Sequence, residues 1–496
     1  MMNKFTKIVA TISDKRCDKE FIQQLFDNGL NVVRMNSAHI NREGFEKIIG
    51  NVRSVSDRIG ILMDTKGPEV RTTTNINDAD IDITEGDKVK VVGNPDGITT
   101  HDTICLSYPQ IAEDVQPGAH LLIDDGELDF VIDSIADGTI YCTAKNSGSL
   151  GSRKSVNIPG AKICLPSLTQ RDIVNIHTAI DLDIDFIAHS FVRTKQDVLD
   201  IQAILDSRGS HIKIIAKIEN QEGIDNFDEI LEVAYGVMIA RGDLGIEVPA
   251  EKIPSIQNDL ISRCIAAHKP VIVATQMLHS MITSPRPTRA EVSDIANAVY
   301  QRTDALMLSG ETAYGKYPIE AISTMSSVAI EAESILNKMP HSDEHHPKME
   351  NDVTSFLAHQ AVDSAEVLDT RAIITDSYTG RTARYIASFR GKNPTLALCY
   401  YSHVIRQLAL SYGVFPVFLE RSATSREYLY TGLKQLINLG LLKDDYLIAY
   451  IGGAYGEGRG TSFLEINRVG DILSDYDAYL LPNLESSATR DISKQG

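Results

Sequence analysis

The chain has 496 residues, a formal net charge of −19 and a sequence pI near 5.1, so it is too long for one hydrophobic core and too acidic for a typical nucleic-acid-binding surface. No apolar run is long enough to span a membrane, and Met1–Thr6 lacks the hydrophobic stretch of a signal peptide. The six cysteines are scattered without a C-x-x-C motif. We therefore expect a cytoplasmic multidomain protein with reduced thiols and no membrane or nucleic-acid partner.

The first two thirds of the chain repeat one pattern, in which a short apolar run ends in polar or charged residues. Such runs are typical of buried parallel strands that carry functional groups at their carboxyl ends. Helical patterns such as Asp197–Leu205 and Arg289–Tyr300 lie between them. The runs number eight, which predicts a (β/α)8 TIM barrel with its site at that end. They are Lys7–Ile12, Asn31–Met35, Ile61–Met63, Asp185–Ala188, the runs leading into Lys217 and Arg241, Pro270–Ala274 and Asp304–Leu308.

The spacing between these runs is broken once, between Asp64 and Asp185. Short alternating runs separated by Asp, Gly and Pro turn signals predict a small β-domain there. We assign residues 1–67 and 162–340 to the barrel and 68–161 to an inserted, β-barrel-like lid domain. The strands predicted in the insert are Val89–Val92, His120–Ile123, Asp129–Ile132 and Thr139–Thr143.

A polar stretch, Pro340–Lys348, predicts a linker to a third domain. Its adjacent histidines offer metal ligands, but a solvated linker is the favoured interpretation. Helical and strand patterns alternate after it, which predicts an open α/β domain over residues 349–480. Residues 481–496 are expected to form a tail.

The end of the fifth predicted strand carries the strongest chemical signal. Lys217 and Glu219 are two residues apart, so on an extended strand their side chains point the same way. Asp243 follows the next predicted strand. A lysine beside two carboxylates suits a divalent metal that holds an anionic substrate, whereas a purely structural Lys217–Glu219 salt bridge is the alternative.

Seven segments, taken in order, make the chain resemble the pyruvate kinase family. This resemblance implies transfer of a phosphoryl group from phosphoenolpyruvate to ADP, giving ATP and pyruvate in glycolysis, by a homotetramer with a lid on its barrel. The segments are Thr6–Ile12, Asn31–Asn36, Met63–Arg71, Ile215–Asn220, Ala240–Gly245, Ala274–Leu278 and Pro285–Glu291.

The resemblance also implies roles for the strand-end residues. Glu219 and Asp243 correspond to the ligands of Mg²⁺ or Mn²⁺, and Lys217 to the lysine that stabilises charge on the migrating phosphoryl group and the enolate. Arg34 corresponds to a phosphoryl-binding arginine, with an ordinary surface ion pair as its alternative. Thr275 corresponds to a threonine near the carbon that becomes the methyl group, and a hydroxyl that only satisfies backbone groups is its alternative.

Further positions match substrate, nucleotide and K⁺ contacts of the family. Ala38 stands where the family has a serine that binds K⁺, with Ser37 one place earlier, while Glu69, which accompanies K⁺ dependence, is kept. We therefore expect a modified K⁺ site. The matching residues are Gly242 and Ser190 for substrate, Thr11, Asn36, His39, Arg71 and Lys154 for nucleotide, and Asn36, Asp64 and Thr65 for K⁺.

A second phosphate-binding signal lies in the predicted third domain. Hydroxyl side chains, a glycine and an arginine follow a strand and begin a helix, which predicts an anion site; an ordinary helix cap is the alternative. The resemblance implies that this loop binds a phosphorylated effector. The acidic Glu457 in the facing loop favours a monophosphate over a bisphosphate. The residues are Ser377, Thr379, Gly380, Arg381 and Thr382.

Two other functions remain open at this point. A metal-dependent barrel aldolase acting on pyruvate enolate would share the carboxylate pair, but it would not need Lys217, the K⁺ segment or the lid. A catalytically silent sugar-phosphate-binding protein would keep only the third domain's site.

Overall fold

The computed structural model describes residues 4–338, 347, 352–422, 424–453 and 460–479. Among its helices, none combines the length and the apolar character needed to cross a membrane. The strands are β1 Lys7–Thr11, β2 Val32–Asn36, β3 Gly60–Asp64, β4 Ile81–Ile83, β5 Lys88–Gly93, β6 Thr103–Leu106, β7 His120–Ile123, β8 Leu128–Ala136, β9 Thr139–Ala144, β10 Gly148–Leu150, β11 Val156–Asn157, β12 Phe186–His189, β13 Lys213–Ile218, β14 Gly236–Ala240, β15 Val271–Ala274, β16 Ala305–Leu308, β17 Ala372–Ser377, β18 Thr395–Cys399, β19 Val414–Phe418, β20 Leu447–Gly453 and β21 Thr461–Arg468.

The helices alternate with the strands in the barrel and in the C-terminal domain. A further helix covers residues 469–479. The others are α1 Lys19–Asp27, α2 Arg42–Val55, α3 Ile111–Asp114, α4 Gln170–Asp181, α5 Lys195–Ser207, α6 Gln221–Asp225, α7 Phe227–Val233, α8 Arg241–Glu247, α9 Ile253–Ala266, α10 Arg289–Tyr300, α11 Gly310–Ala313, α12 Pro318–Leu336, α13 Val353–Val367, α14 Arg381–Ser388, α15 Ser402–Gln407 and α16 Ser425–Asn438.

Eight parallel strands close into a barrel in the order β1-β16-β15-β14-β13-β12-β3-β2, which confirms the predicted fold class. Alternate residues of each strand face opposite sides. Val9, Leu62 and Ile215 belong to the inner cluster, while Ile8 and Ile61 pack in the cluster shared with the helices. Because both sides are buried, the strands read as continuous apolar runs, and this explains why the sequence located them within about two residues.

The segment between β3 and β12 forms a separate β structure with its own core, which includes Phe130 and Ile140. Its strands make a six-stranded sheet, β11-β7-β8-β9-β5-β6, and a two-stranded sheet, β10-β4. Isolated bridges from Arg71 to Ser155, beside β11, and from Thr72 to Leu106, in β6, join the two edges of the six-stranded sheet, which is compatible with the barrel-like insert expected from the sequence. The sequence did not predict β4, β6, β10 or β11, each of which has only two to four residues.

The C-terminal domain is a five-stranded sheet in the order β19-β18-β17-β20-β21, with apolar clusters on both faces. The first four strands are parallel, as the alternation of helix and strand predicted. β21 pairs antiparallel with β20 at the edge, and the sequence did not predict it.

This domain packs against the amino ends of the barrel strands, opposite the predicted site. Arg390 forms a paired salt bridge with Asp304, which precedes β16, at 2.6 and 2.9 Å. Arg406 binds Asp185, which precedes β12, at 2.5 Å, and Asp183 at 2.7 Å. Asp304 and Asp185 are buried, and these ion pairs tie the C-terminal domain to the base of the barrel.

Candidate functional site

The carboxyl ends of β3, β12 and β13 bring a buried lysine between two carboxylates. Lys217 Nζ lies 3.1 Å from Asp64 Oδ1 and 3.0 Å from Glu219 Oε1, and it donates to Ser190 Oγ at 2.8 Å. Lys217 and Glu219 are on the same strand two residues apart, so the geometry has the shared direction that the sequence predicted. The Ser190 hydroxyl in turn donates to Thr65 O at 2.8 Å, and this bond directs the lone pairs of Ser190 Oγ toward the ammonium group.

Arg34, at the end of β2, extends this cluster on its other side. Its Nε donates to Asp64 Oδ2 at 2.7 Å and its Nη1 to Thr11 Oγ1 at 2.9 Å. The Arg34 side chain is only 11% exposed, so it is not the ordinary surface ion pair considered as the alternative. Asp64 therefore lies between two cations, Arg34 and Lys217.

The burial of these charges sets their protonation. Burial lowers the pKa of Lys217, but the carboxylates of Asp64 and Glu219 outweigh this effect and raise it above its ordinary value. Burial opposes ionisation of Asp64, yet Arg34 and Lys217 bring its pKa below the usual range. For Glu219, burial raises the pKa, Lys217 opposes the rise, and nearby Asp243 and Asp64 add to it.

The turn after β12 contributes a main-chain group that the sequence analysis missed. Phe191 donates its backbone N–H to Glu219 Oε2 at 2.7 Å, from a left-handed backbone with φ 56°. This conformation is sparsely populated for a bulky residue, and here it directs one N–H at the carboxylate of Glu219. No side-chain pattern indicates a backbone donor, so this contact could not be predicted from the residues alone.

The ends of β14 and β15 form the neighbouring part of the site. Gly242 N donates to Thr275 Oγ1 at 2.7 Å, and that hydroxyl donates to Ala274 O at 2.6 Å. Thr275 has φ 71°. Its hydroxyl thus satisfies backbone groups in this structure, which is the arrangement described above as its alternative. Arg241 holds the turn in place by donating to Thr275 O at 2.8 Å.

Asp243 lies one residue further along α8, half-buried at the rim of a cleft between the barrel and the insert. Glu219 also lines this cleft, and so do Glu69 and Asn157 from the insert. Burial raises the pKa of Asp243, and the carboxylates of the insert's Asp125 and of Glu69 add to this rise while Lys217 opposes it. The two predicted metal ligands therefore face a common space.

The basic residues predicted for the nucleotide lie on the insert. Arg71 Nε pairs with Glu69 at 2.7 Å, and Lys154 Nζ pairs with Asp124 at 2.6 Å. The segments that carry these two residues run side by side, since Thr72 N donates to Lys154 O at 2.8 Å. The other predicted nucleotide residues are on the barrel, where Thr11 is buried, Asn36 is half-buried and His39 is exposed.

The predicted K⁺ residues follow β2 and β3. Asn36 Oδ1 accepts the N–H of Ala38 at 3.0 Å, and Thr65 Oγ1 accepts that of Ser190 at 3.0 Å. Ser37 is fully buried, and its hydroxyl has no hydrogen-bond partner among the described residues. Ser37 is thus enclosed by protein, and among the described residues no hydrogen bond links its hydroxyl to the predicted K⁺ residues.

The predicted effector residues surround the start of α14. Ser377 Oγ accepts the N–H of Gly380, which has φ 77°, at 2.9 Å. Arg381 pairs with Asp352 at 2.9 Å, and Thr382 shares a hydrogen bond of 2.9 Å with Thr461 of β21. Thr379 is exposed. Glu457 lies outside the described residues, so the structure does not address its predicted effect.

Comparisons with known proteins agree with this architecture. The sequence profile of the pyruvate kinase barrel domain matches residues 3–322, and that of the pyruvate kinase alpha/beta domain matches residues 355–467. A pyruvate kinase of Borreliella burgdorferi is 44% identical over 478 residues, covering 95% of this chain and 99% of that protein. One of Geobacillus stearothermophilus is 40% identical over 481 residues, covering 95% and 82%.

A solved structure leads to the same conclusion. The crystal structure of a pyruvate kinase from Cryptosporidium parvum superimposes with a TM-score of 0.88 at 36% identity, covering 94% of this chain and 96% of that one. The matches span both the barrel and the C-terminal domain. This chain belongs to the pyruvate kinase family.

Proposed function

We propose that this chain transfers the phosphoryl group of phosphoenolpyruvate to ADP, producing ATP and pyruvate in glycolysis. The observation that carries the proposal is the buried pair of cations, Arg34 and Lys217, on either side of Asp64 at the mouth of the barrel. In a chain of net charge −19, a trianionic substrate needs local cations. Transfer of a phosphoryl group is catalysed mainly by positioning and by charge stabilisation, and these residues supply both.

The donor set suits a divalent metal. Glu219 and Asp243 offer hard oxygen ligands, and burial raises the pKa of each because two carboxylates in one cleft lack solvation. The described residues contain no group of three or more His, Cys, Asp or Glu side chains that could hold an ion. Two carboxylates would suit Mg²⁺ or Mn²⁺, hard cations that prefer oxygen ligands. When bound, the ion would supply positive charge that stabilises an anionic substrate.

The residues of this chain have separate roles in the reaction. Arg34 uses Nε and Nη1 for Asp64 and Thr11, which leaves Nη2 for a phosphoryl oxygen. Lys217 stabilises the charge on the migrating group and on the enolate that remains, with Ser190 holding its ammonium group. Gly242 contacts substrate through its main-chain N–H once this group releases Thr275 Oγ1. Thr275 lies near the carbon to be protonated, and to take part its hydroxyl must first release Ala274 O.

The nucleotide and the monovalent ion are proposed for the neighbouring surfaces. ADP lies between the insert and the barrel, where the phosphates find Arg71 and Lys154 once these exchange their carboxylate partners for the ligand. K⁺ binds beside Asp64. The barrel residues completing these two sites are Thr11, Asn36 and His39 for the nucleotide and Asn36, Asp64 and Thr65 for K⁺.

The domains carry separate parts of this function. Residues 1–67 and 162–340 form the catalytic barrel, 68–161 form a lid that excludes water, and 349–480 bind a phosphorylated effector through Ser377, Thr379, Gly380, Arg381 and Thr382. Residues 481–496, proposed as a tail, lie outside the described residues. We also propose a cytoplasmic homotetramer.

One assay tests the activity against its alternatives. Phosphoenolpyruvate, ADP and Mg²⁺ are incubated with the protein, and pyruvate is measured by coupled oxidation of NADH with lactate dehydrogenase. Formation of pyruvate that depends on ADP supports the proposal. Absence of pyruvate from phosphoenolpyruvate, together with aldol cleavage that releases pyruvate, identifies an aldolase. Absence of both activities with binding of sugar phosphates identifies a binding protein.

A further inference from the structure

A polar pair joins the insert to the barrel across the mouth of the cleft. Asn157 Nδ2 donates to Glu247 Oε1 at 3.2 Å. Asn157 is the last residue of β11, and the chain passes from it through Ile158 and Pro159 to Gly160, which has φ 80°. The amide therefore lies beside the turn about which the insert would rotate.

On the barrel side, the contact falls on the helix that carries a proposed metal ligand. Glu247 is the last residue of α8 and follows Asp243 by four positions, so both carboxylates lie on one face of the helix. Both also line the cleft together with Asn157. Burial raises the pKa of Glu247, and the charge of Asp243 adds to the rise while Asn157 opposes it.

The short α8 needs anchors at both ends. A helix of seven residues is marginal by itself. Its first residue, Arg241, is held by Asp294 Oδ1 at 2.8 Å and by Thr275 O at 2.8 Å. At its last residue, Glu247 is held by the insert's Asn157. The position of the insert thus decides whether the second anchor exists.

We propose that Asn157 and Glu247 form a latch that couples closure of the insert to the position of Asp243. With the latch formed, the charge of Glu247 is directed toward the amide of Asn157. With the insert away, Glu247 loses this donor and repels Asp243 one helical turn earlier. The pair consists of positioning residues, and the inference rests on the proposed function, in which Asp243 binds the metal and the insert is the lid.

A swap of the two side-chain types tests the latch. Asn157→Asp sets a carboxylate against Glu247 and breaks the hydrogen bond, whereas Glu247→Gln keeps the acceptor oxygen. In the double variant the amide of residue 247 donates to the carboxylate of residue 157, so the bond is restored in the opposite direction. Asn77→Asp adds the same charge at an exposed position of the insert, away from the cleft, and serves as the control.

Three readouts are made on the full chain. Hydrogen exchange of residues 158–162 reports the hinge, titration with Mn²⁺ followed by electron paramagnetic resonance reports the metal site, and steady-state kinetics separate KM for phosphoenolpyruvate from kcat. Asn157→Asp is expected to speed hinge exchange and weaken Mn²⁺ binding by about tenfold each, with KM rising more than kcat falls. The double variant is expected to return within about threefold of the wild type.

The latch is refuted if Asn157→Asp behaves like Asn77→Asp in exchange and in Mn²⁺ affinity, or if the double variant is no better than Asn157→Asp. Exchange and Mn²⁺ binding need no turnover. If Asn157→Asp loses and the double variant recovers both properties, but no pyruvate forms, the latch is supported and only the proposed activity is refuted.

Discussion

Replacing Lys217 with methionine tests the chemical centre most directly. The substitution keeps the length and most of the volume of the side chain but removes its charge. In the structure that charge lies 3.0 and 3.1 Å from two carboxylates and 2.8 Å from Ser190 Oγ, inside the barrel mouth. Loss of one preorganised charge at a site of developing charge costs roughly 10²–10³ in kcat, which corresponds to about 2.7–4 kcal/mol of barrier.

The fold should survive the change, because both carboxylates keep another partner. Arg34 Nε still holds Asp64 Oδ2 at 2.7 Å, and the Phe191 N–H still holds Glu219 Oε2 at 2.7 Å. Removing one member of a buried pair ordinarily destabilises by about 3–5 kcal/mol. These remaining partners should bring the loss toward the lower end, and Glu219, whose pKa is already raised by burial, can take up a proton.

Lys213→Met provides the matched control. Lys213 begins the same strand at the opposite end of the barrel, four residues before Lys217. The same substitution there should leave kcat within about twofold of the wild type, since exposed and half-exposed changes away from the site are usually small. Both variants are measured in the lactate dehydrogenase-coupled assay, with thermal melts recorded in parallel. A Lys217→Met protein that melts as a folded chain and turns over at near-normal rate would refute the assignment.

Four other predictions concern the divalent metal, K⁺, the effector and a buried histidine. Glu219→Gln should raise the Mg²⁺ needed for half-maximal activity at least about tenfold because a charged ligand is lost, and an unchanged Mg²⁺ titration would contradict that role. Activity should rise when K⁺ is added to an assay free of Na⁺ and K⁺. The K⁺ concentration needed should be higher than in related enzymes that keep a serine at position 38. Full activity in tetramethylammonium buffer would exclude a K⁺ site. A screen of sugar monophosphates and AMP at sub-saturating phosphoenolpyruvate should find an activator by coupling of about 1–3 kcal/mol, and Arg381→Ala with Thr382→Ala should remove it while leaving saturated turnover intact. Burial lowers the pKa of His268 from 6.5 to about 4, so between these pH values only the unfolded chain binds the proton. The free energy of unfolding should therefore decrease as the pH falls, by up to about 1.4 kcal/mol per pH unit, and His268→Gln should flatten this pH dependence in denaturant titrations.

The barrel could be predicted because its physical cause is local. Each strand is buried on both faces, so Val271–Ala274 and Ala305–Leu308 appear in the sequence as uninterrupted apolar runs, and the polar residues after them mark the end that faces the site. The antiparallel β21 was not predicted, because its eight residues alternate between half-buried and exposed without a run of buried ones. An edge strand is defined by the neighbour that it pairs with, and a sequence does not display that neighbour.

The partners of the site residues were less predictable than their identities. The sequence suggested that Lys217 and Glu219 share a direction, but it could not report that Thr275 adopts φ 71° and gives its hydroxyl to Ala274 O. Backbone conformation of this kind depends on tertiary contacts such as the one from Arg241. Glu247, by contrast, could have been singled out, since it follows Asp243 by one helical turn.

The role that the family pattern assigns to Asp64 differs from the contacts that Asp64 makes in the structure. The family pattern assigns it to K⁺, yet in the structure its two oxygens already face Lys217 and Arg34. A third cation at this carboxylate is favourable only if anionic charge arrives with it, because three positive groups around one buried carboxylate would repel one another. Phosphoenolpyruvate brings such charge. We therefore predict that K⁺ and substrate bind with positive coupling, and that K⁺ affinity measured without phosphoenolpyruvate should be weaker than with it. Since coupling between two ligands is reciprocal, K⁺ should strengthen phosphoenolpyruvate binding by the same factor. The affinities are measured by titration with Tl⁺ as a K⁺ analogue. Equal affinities with and without phosphoenolpyruvate would mean that Asp64 pairs with Lys217 and Arg34 and does not bind K⁺.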